Sequence, residues 1–142
     1  MYKSILVPVD IADESQSMKA LNTALQMATD YKATLHVVSV VPDFGVGAVS
    51  SYFDEDFSTK AIETSKNRLK DFAEKHIGGK VQYETKVCYG TIYDQIIGAA
   101  KDGGCDLIVM GSHRPTLEDY LIGPNAARVM RHAKQSVFIV RD

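Results

Sequence analysis

In residues Leu107 to His132, LIVMGSHRPTLEDYLIGPNAARVMRH, a four-residue apolar run passes into a polar loop entered at Gly111 and then into a helix start around Gly123. Strand, glycine-containing loop and helix N-terminus in that order build an anion pocket. The first N–H groups of a helix have no intrahelical partner, and the aligned peptide dipoles leave positive potential there, so a phosphate is the natural guest.

The rest of the chain repeats this alternation. Ser4–Val9, Thr34–Val41, Val81–Val87, Leu107–Gly111 and Ser136–Val140 are rich in Val and Ile and bounded by turn residues or helical patterns, which predicts five strands. Three are nearly continuous in apolar content, as expected of strands covered on both faces, and strand–helix alternation implies parallel pairing through right-handed crossovers. Four helical stripes fit that scheme. Ala20, Leu21, Ala24, Leu25 and Ala28 form the first; Ile62, Leu69, Phe72 and Ala73 the second; Ile92, Ile96, Ile97 and Ala100 the third; Ala126, Val129, Met130 and Ala133 the fourth. Thr91 is placed to cap the third helix, and Gly78-Gly79 and Gly103-Gly104 read as helix-terminating turns. The long irregular stretch Pro42–Asp56, with two glycines and four acidic residues, suits a lid or partner surface and equally a plain crossover.

A length of 142 residues predicts one domain, 1–142, with a sizeable core. The formal net charge of -2 argues against a chain that holds nucleic acid or anionic lipid by bulk positive charge, so any anion site must be local. Cys88 and Cys105 are too far apart for a C-x-x-C motif and read as small apolar packing residues of a cytoplasmic protein. The five-residue apolar run near the start is too short for a signal-peptide core, and no apolar stretch has membrane-spanning length.

In an open parallel sheet the binding crevice forms outside the carboxyl ends of the strands, where the chain order reverses. If the first strand lies beside the fourth, Pro8-Val9-Asp10 faces Gly111-Ser112-His113-Arg114. Gly111 lets a ligand approach the main chain, and the Arg114 guanidinium offers phosphate oxygens a fork of donors. Asp10 suits a ribose hydroxyl or a Mg2+ ion escorting phosphates. Gly123 and Asn125 sit at the mouth of the fourth helix. His113 also fits an ordinary loop histidine, His36 a structural strand residue, and Arg131 and His132 a helix C-terminus that favours positive charge. Three folds of similar shape fail on local chemistry. A phosphorelay receiver needs an Asp closing the third strand, where Val87-Cys88-Tyr89 stands. A flavodoxin needs a Ser/Thr/Gly loop after the first strand, where Asp10-Ile11-Ala12-Asp13-Glu14 is acidic, and a dinucleotide-binding domain needs G-x-G-x-x-G at the same turn, where none occurs.

ILVPVD at the start, SVVP closing the second strand, YGTIYDQII before the third helix, MGSHRP…LIGPNAARVMRHA and the final SVFIVR together resemble the universal stress proteins, specifically the small single-domain bacterial members that bind ATP. The resemblance covers essentially the whole chain. It implies an open five-stranded parallel α/β sheet, Rossmann-like, in the order 3-2-1-4-5 with helices on both faces. It also implies a nucleotide-binding pattern of Gly, two residues, Gly, nine residues, Gly, then Ser or Thr. Here Gly111 takes the first position, Arg114 replaces the second glycine, and Gly123 comes one residue early. By the same resemblance Pro8, Val9 and Asp10 border adenine and ribose, Val40 presents backbone atoms to the base, and Met110 packs near the sugar or base. Ser112, His113 and Arg114 approach the phosphates, with Gly123, Pro124, Asn125 and Ala126 closing the cradle. Pro124 stands where the family has Ser or Thr, which removes a hydroxyl and a backbone N–H.

The expected function is therefore a nucleotide-binding regulatory stress-response protein, holding ATP or else AMP, ADP or a cyclic nucleotide, with Mg2+ at Asp10, and acting through loop conformation on an unknown protein partner. Two other readings remain open: slow ATP hydrolysis or self-phosphorylation using Ser112, His113 and Asp10, and a nucleotide-free scaffold, which Pro124 favours. No Walker-type G-x-x-x-x-G-K-[ST] sequence is present. The resemblance further implies a homodimer through the edge strand Ser136–Val140.

Overall fold

The computed structural model describes residues 1–42, 55–112 and 123–141, excepting the side chains of 42 and 55–58. Nine elements follow in order: β1 (Ser4–Pro8), α1 (Glu14–Tyr31), β2 (Thr34–Pro42), α2 (Glu55–His76), β3 (Tyr83–Gly90), α3 (Ile92–Asp102), β4 (Leu107–Gly111), α4 (Pro124–His132) and β5 (Ser136–Val140). The strands form one sheet in the order β3-β2-β1-β4-β5, all parallel. The fold class and strand order are those expected.

Because successive strand side chains point to opposite faces, β1 feeds both halves of the core. Ile5 and Val7 face α1 and α2, with Leu21, Ala24, Ala28, Leu69 and Phe72. Leu6 faces α3 and α4, with Val38, Ile96, Ala100, Ile108 and Val129. The central strands β1 and β4 are buried along almost their whole length, whereas β3 and β5 at the edges alternate. That difference is why the two central strands are apolar runs in the sequence.

The ladders are unequal. β2 and β3 pair over eight positions and β4 and β5 from Leu107↔Ser136 to Gly111↔Val140, but β1 and β4 match only at Ile5↔Leu107 and Leu6↔Ile108. The start of this short seam is clasped by the Asp106 carboxylate, which accepts the N–H groups of Lys3 at 3.0 Å and Ser4 at 3.1 Å.

Two details depart from expectation. β3 runs from Tyr83 to Gly90 and not from Val81 to Val87, because its length is set by β2, whose Pro42 pairs with Gly90. Gly90 takes φ +140°, a conformation glycine supplies, and a Cβ there would meet Gln95 Nε2 at 2.9 Å. Thr91 does stand at the N-cap of α3, but its hydroxyl makes no capping bond. Gly78 at φ +54° and Gly104 at φ +63° close α2 and α3 as expected. Cys88 and Cys105 are buried and free, and burial pushes both thiols up from their ordinary value, which suits packing residues. No helix among the described residues is long and apolar enough to cross a membrane. The stretch 43–54 and the loop 113–122, with His113 and Arg114, lie outside the described residues.

Candidate functional site: a cleft at the ends of β1 and β4

The sheet reverses direction of growth between β1 and β4, and beyond the carboxyl ends of these strands opens a cleft of about 430 Å³. Pro8, Val9 and Asp10 enter it from the end of β1, Val40 from β2, Met110 and Gly111 from β4, and Asn125 and Ala126 from the first turn of α4. These eight residues are among those singled out in the sequence. The cleft also takes Ala12, Gln16, Ser17 and Ala20 from α1 and the turn before it, and Ile92 and Ile96 from α3, none of which was anticipated as site residues. Ser17 had a readable signal: it stands three residues before Ala20 on the apolar stripe of α1 and is 7% exposed, a small polar residue at a core-facing position.

Asp10 is the one charged side chain among the described lining residues. Its Oδ1 accepts the N–H of Ala12 at 2.9 Å, an Asx-type turn, and its backbone carbonyl accepts the N–H of Asp13 at 3.2 Å. Its own N–H donates to Ser17 Oγ at 2.8 Å. Asp10 thus has a local structural task as well, yet Oδ2 accepts no hydrogen bond among the described residues. A carboxylate fixed by one oxygen and open at the other can take a hydroxyl or a cation.

The opposite end is the N-terminus of α4. Gly123 is the N-cap at extended φ, ψ, Pro124 follows at the first helical position, and no side chain caps the helix. Ala127 N–H closes the first turn on Gly123 O at 3.0 Å, so the N–H groups of Asn125 and Ala126 stand in the orphan positions of the helix, on residues that line the cleft. Proline suits this position because its missing N–H costs the helix nothing, but it removes one donor from the anion end. Pro124 itself is exposed. Ser112 is buried behind the wall: its N–H donates to Val140 O at 3.0 Å and its carbonyl accepts Gly123 N–H at 3.2 Å, which ties β5 and the α4 cap to the tip of β4. It is not among the lining residues, nor are Gly123 and Pro124.

A larger cleft, about 520 Å³, lies between β2, β3 and the end of α3. Its polar groups face one another, His36 Nδ1 with the Glu84 carboxylate at 3.4 Å and Lys86 with Asp102 at 3.6 Å. His36 therefore has the structural place expected of it, away from the reversal of strand order.

The chain is 30% identical over 149 aligned residues to universal stress protein G of Shigella flexneri, the alignment covering 99% of this chain and 100% of that one. Among solved structures, it matches a universal stress protein in complex with cAMP at 23% identity and TM-score 0.63, over 99% of this chain and 97% of the other. It also matches the universal stress protein from Archaeoglobus fulgidus in complex with dAMP at 19% identity and TM-score 0.66, over 99% and 98%. With the family model for universal stress proteins spanning residues 1–141, the chain belongs to the universal stress protein family.

Proposed function

We propose that this chain is a single-domain, adenine-nucleotide-binding regulatory protein of the cytoplasm, which holds ATP or a shorter adenine nucleotide in the cleft between β1 and β4. The observation that carries the reading is the convergence of an apolar slot, an open carboxylate oxygen and a helix N-terminus at one end of the sheet. Val9, Val40, Ile92, Ile96 and Met110 suit a flat purine, Asp10 Oδ2 suits a ribose hydroxyl or a Mg2+ ion between carboxylate and phosphates, and the N–H groups of Asn125 and Ala126 suit a phosphate. Ser112, His113, Arg114, Gly123 and Pro124 belong to the phosphate end in this reading. The cAMP and dAMP carried by two fold neighbours accord with the adenine part.

Mass spectrometry of small molecules released from the freshly purified, denatured protein is expected to yield an adenine nucleotide, and titration of the emptied chain is expected to show saturable binding of ATP or AMP. Asp10→Ala is expected to weaken binding by about tenfold or more, the loss of a hydrogen bond to a charged group. A chain that arrives empty and ignores added nucleotides with and without Mg2+ refutes the reading. It would support instead a nucleotide-free protein scaffold, the alternative that the missing donor at Pro124 favours.

The nucleotide state acts, in this proposal, by shifting loop conformations that a partner protein reads, which requires unequal affinity of the ligand for the two conformations. The chain is further proposed to form a homodimer through β5. This strand lies at the sheet edge with Phe138 44% exposed, and an open apolar edge invites pairing with a second chain. Val137→Pro or Ile139→Lys is expected to give monomers in sedimentation. Variants that remain dimeric place the interface elsewhere.

A further inference from the structure

Residues Val9 to Asp13, between β1 and α1, form the acidic lip of the cleft, and most of their polar contacts are local. Beyond the sheet bond from Val9 N–H to Val38 O, a side chain reaches this lip from far along the chain: Arg68, on α2, donates from Nη2 to the carbonyl oxygen of Ile11 at 2.8 Å, across 57 positions of sequence. Arg68 has no ion pair among the described residues, so this carbonyl is the partner its guanidinium is seen to hold.

The consequence lies in a single peptide unit. The carbonyl of Ile11 and the N–H of Ala12 belong to the same planar group, so fixing one fixes the other. That Ala12 N–H is the donor that grips Asp10 Oδ1 at 2.9 Å. A cation on the carbonyl polarises the peptide and strengthens its N–H as a donor. Rotation of this peptide would swing the N–H away from Asp10 and release the carboxylate. Ser17 Oγ, accepting Asp10 N–H at 2.8 Å, anchors the other side of the same residue.

We propose that Arg68 is a positioning residue for ligand recognition: from α2, through the Ile11–Ala12 peptide, it orients the Asp10 carboxylate so that Oδ2 is presented to a ribose hydroxyl. This rests on the reading of the cleft as a nucleotide site and adds to it a residue that touches no ligand. It also makes α2, the helix that follows the long connection after β2, a mechanical neighbour of the sugar site.

The test measures binding of AMP and of 2′,3′-dideoxyadenosine monophosphate, which lacks both ribose hydroxyls, to the full chain by calorimetry. Arg68→Ala is expected to weaken AMP about tenfold and leave the dideoxy nucleotide nearly unchanged. In the Asp10→Ala background the effect of Arg68→Ala is expected to vanish, since the two act in series. If Arg68→Ala fails to fold, Arg68→Lys, which keeps the stem and charge without the fork, carries the same comparison with a smaller loss. Equal weakening of both nucleotides, an undiminished effect in the Asp10→Ala background, or unchanged AMP binding each overturns the proposal while leaving the nucleotide site standing. Wild-type protein that binds neither nucleotide overturns the site and this proposal together.

Discussion

Ile108→Ala is expected to lower the free energy of unfolding by about 2–5 kcal/mol, the range for deleting buried methylenes and leaving a cavity. Ile108 is fully buried in β4, registered against Leu6 on one side and Val137 on the other, and packed in the core half beneath α3 and α4. It thus touches both the seam between the two halves of the sheet and the helices that cover it. For a chain of this size total stability is about 5–15 kcal/mol, so the variant forfeits a large part of it. Urea denaturation checks this: the midpoint should fall with the slope unchanged, because the surface exposed on unfolding is nearly the same. Lys101→Ala, on the exposed face of α3, should stay within roughly 0.5 kcal/mol of wild type. Similar small losses for both variants would contradict the core drawn from burial.

Pro124→Ser is expected to raise ATP affinity about tenfold while making the protein slightly less stable. The serine restores a backbone N–H and a hydroxyl at the first helical position of α4, next to the cleft-lining Asn125 and Ala126. Each hydrogen bond to a charged phosphate oxygen is worth roughly 1.5–3 kcal/mol, and the lower value already corresponds to about a tenfold change. Stability moves the other way, because proline restricts the unfolded chain and its removal costs about 0.4–1 kcal/mol. Opposite signs separate the two effects in one pair of measurements, a titration and a melting curve. Adenosine, which has no phosphate, should bind both proteins alike. If adenosine gains as much as ATP, or neither gains, the start of α4 is not the phosphate end.

Much of this architecture was legible because it follows from solvent contact. β1 and β4 are covered on both faces and so appear as unbroken apolar runs, and the α1 stripe marks the helix side that meets Ile5 and Val7. The strand order came from likeness to a family, since periodicity alone does not rank strands. The bounds of β3 were misjudged because the strand is extended to Gly90 by its pairing with β2, a partner from another part of the chain. Pro8, Val9, Asp10 and Gly111 were found by one topological rule and Val40 and Met110 by likeness to a family, and the rule is silent about the side walls, hence Gln16, Ser17, Ile92 and Ile96 went unmarked. Arg68 carried no signal at all: its contact is with a main-chain carbonyl 57 positions away, and a carbonyl leaves no trace in residue identity.

The shortness of the β1–β4 ladder has a last consequence. After Leu6↔Ile108 these two central strands share no further rung, though β4 stays zipped to β5 as far as Gly111↔Val140. The sheet is therefore forked at its crest and stitched at its root by Asp106. The cleft lined by Pro8, Val9, Met110 and Gly111 lies where that ladder has stopped, so the place of the site is set by how early the two middle strands part.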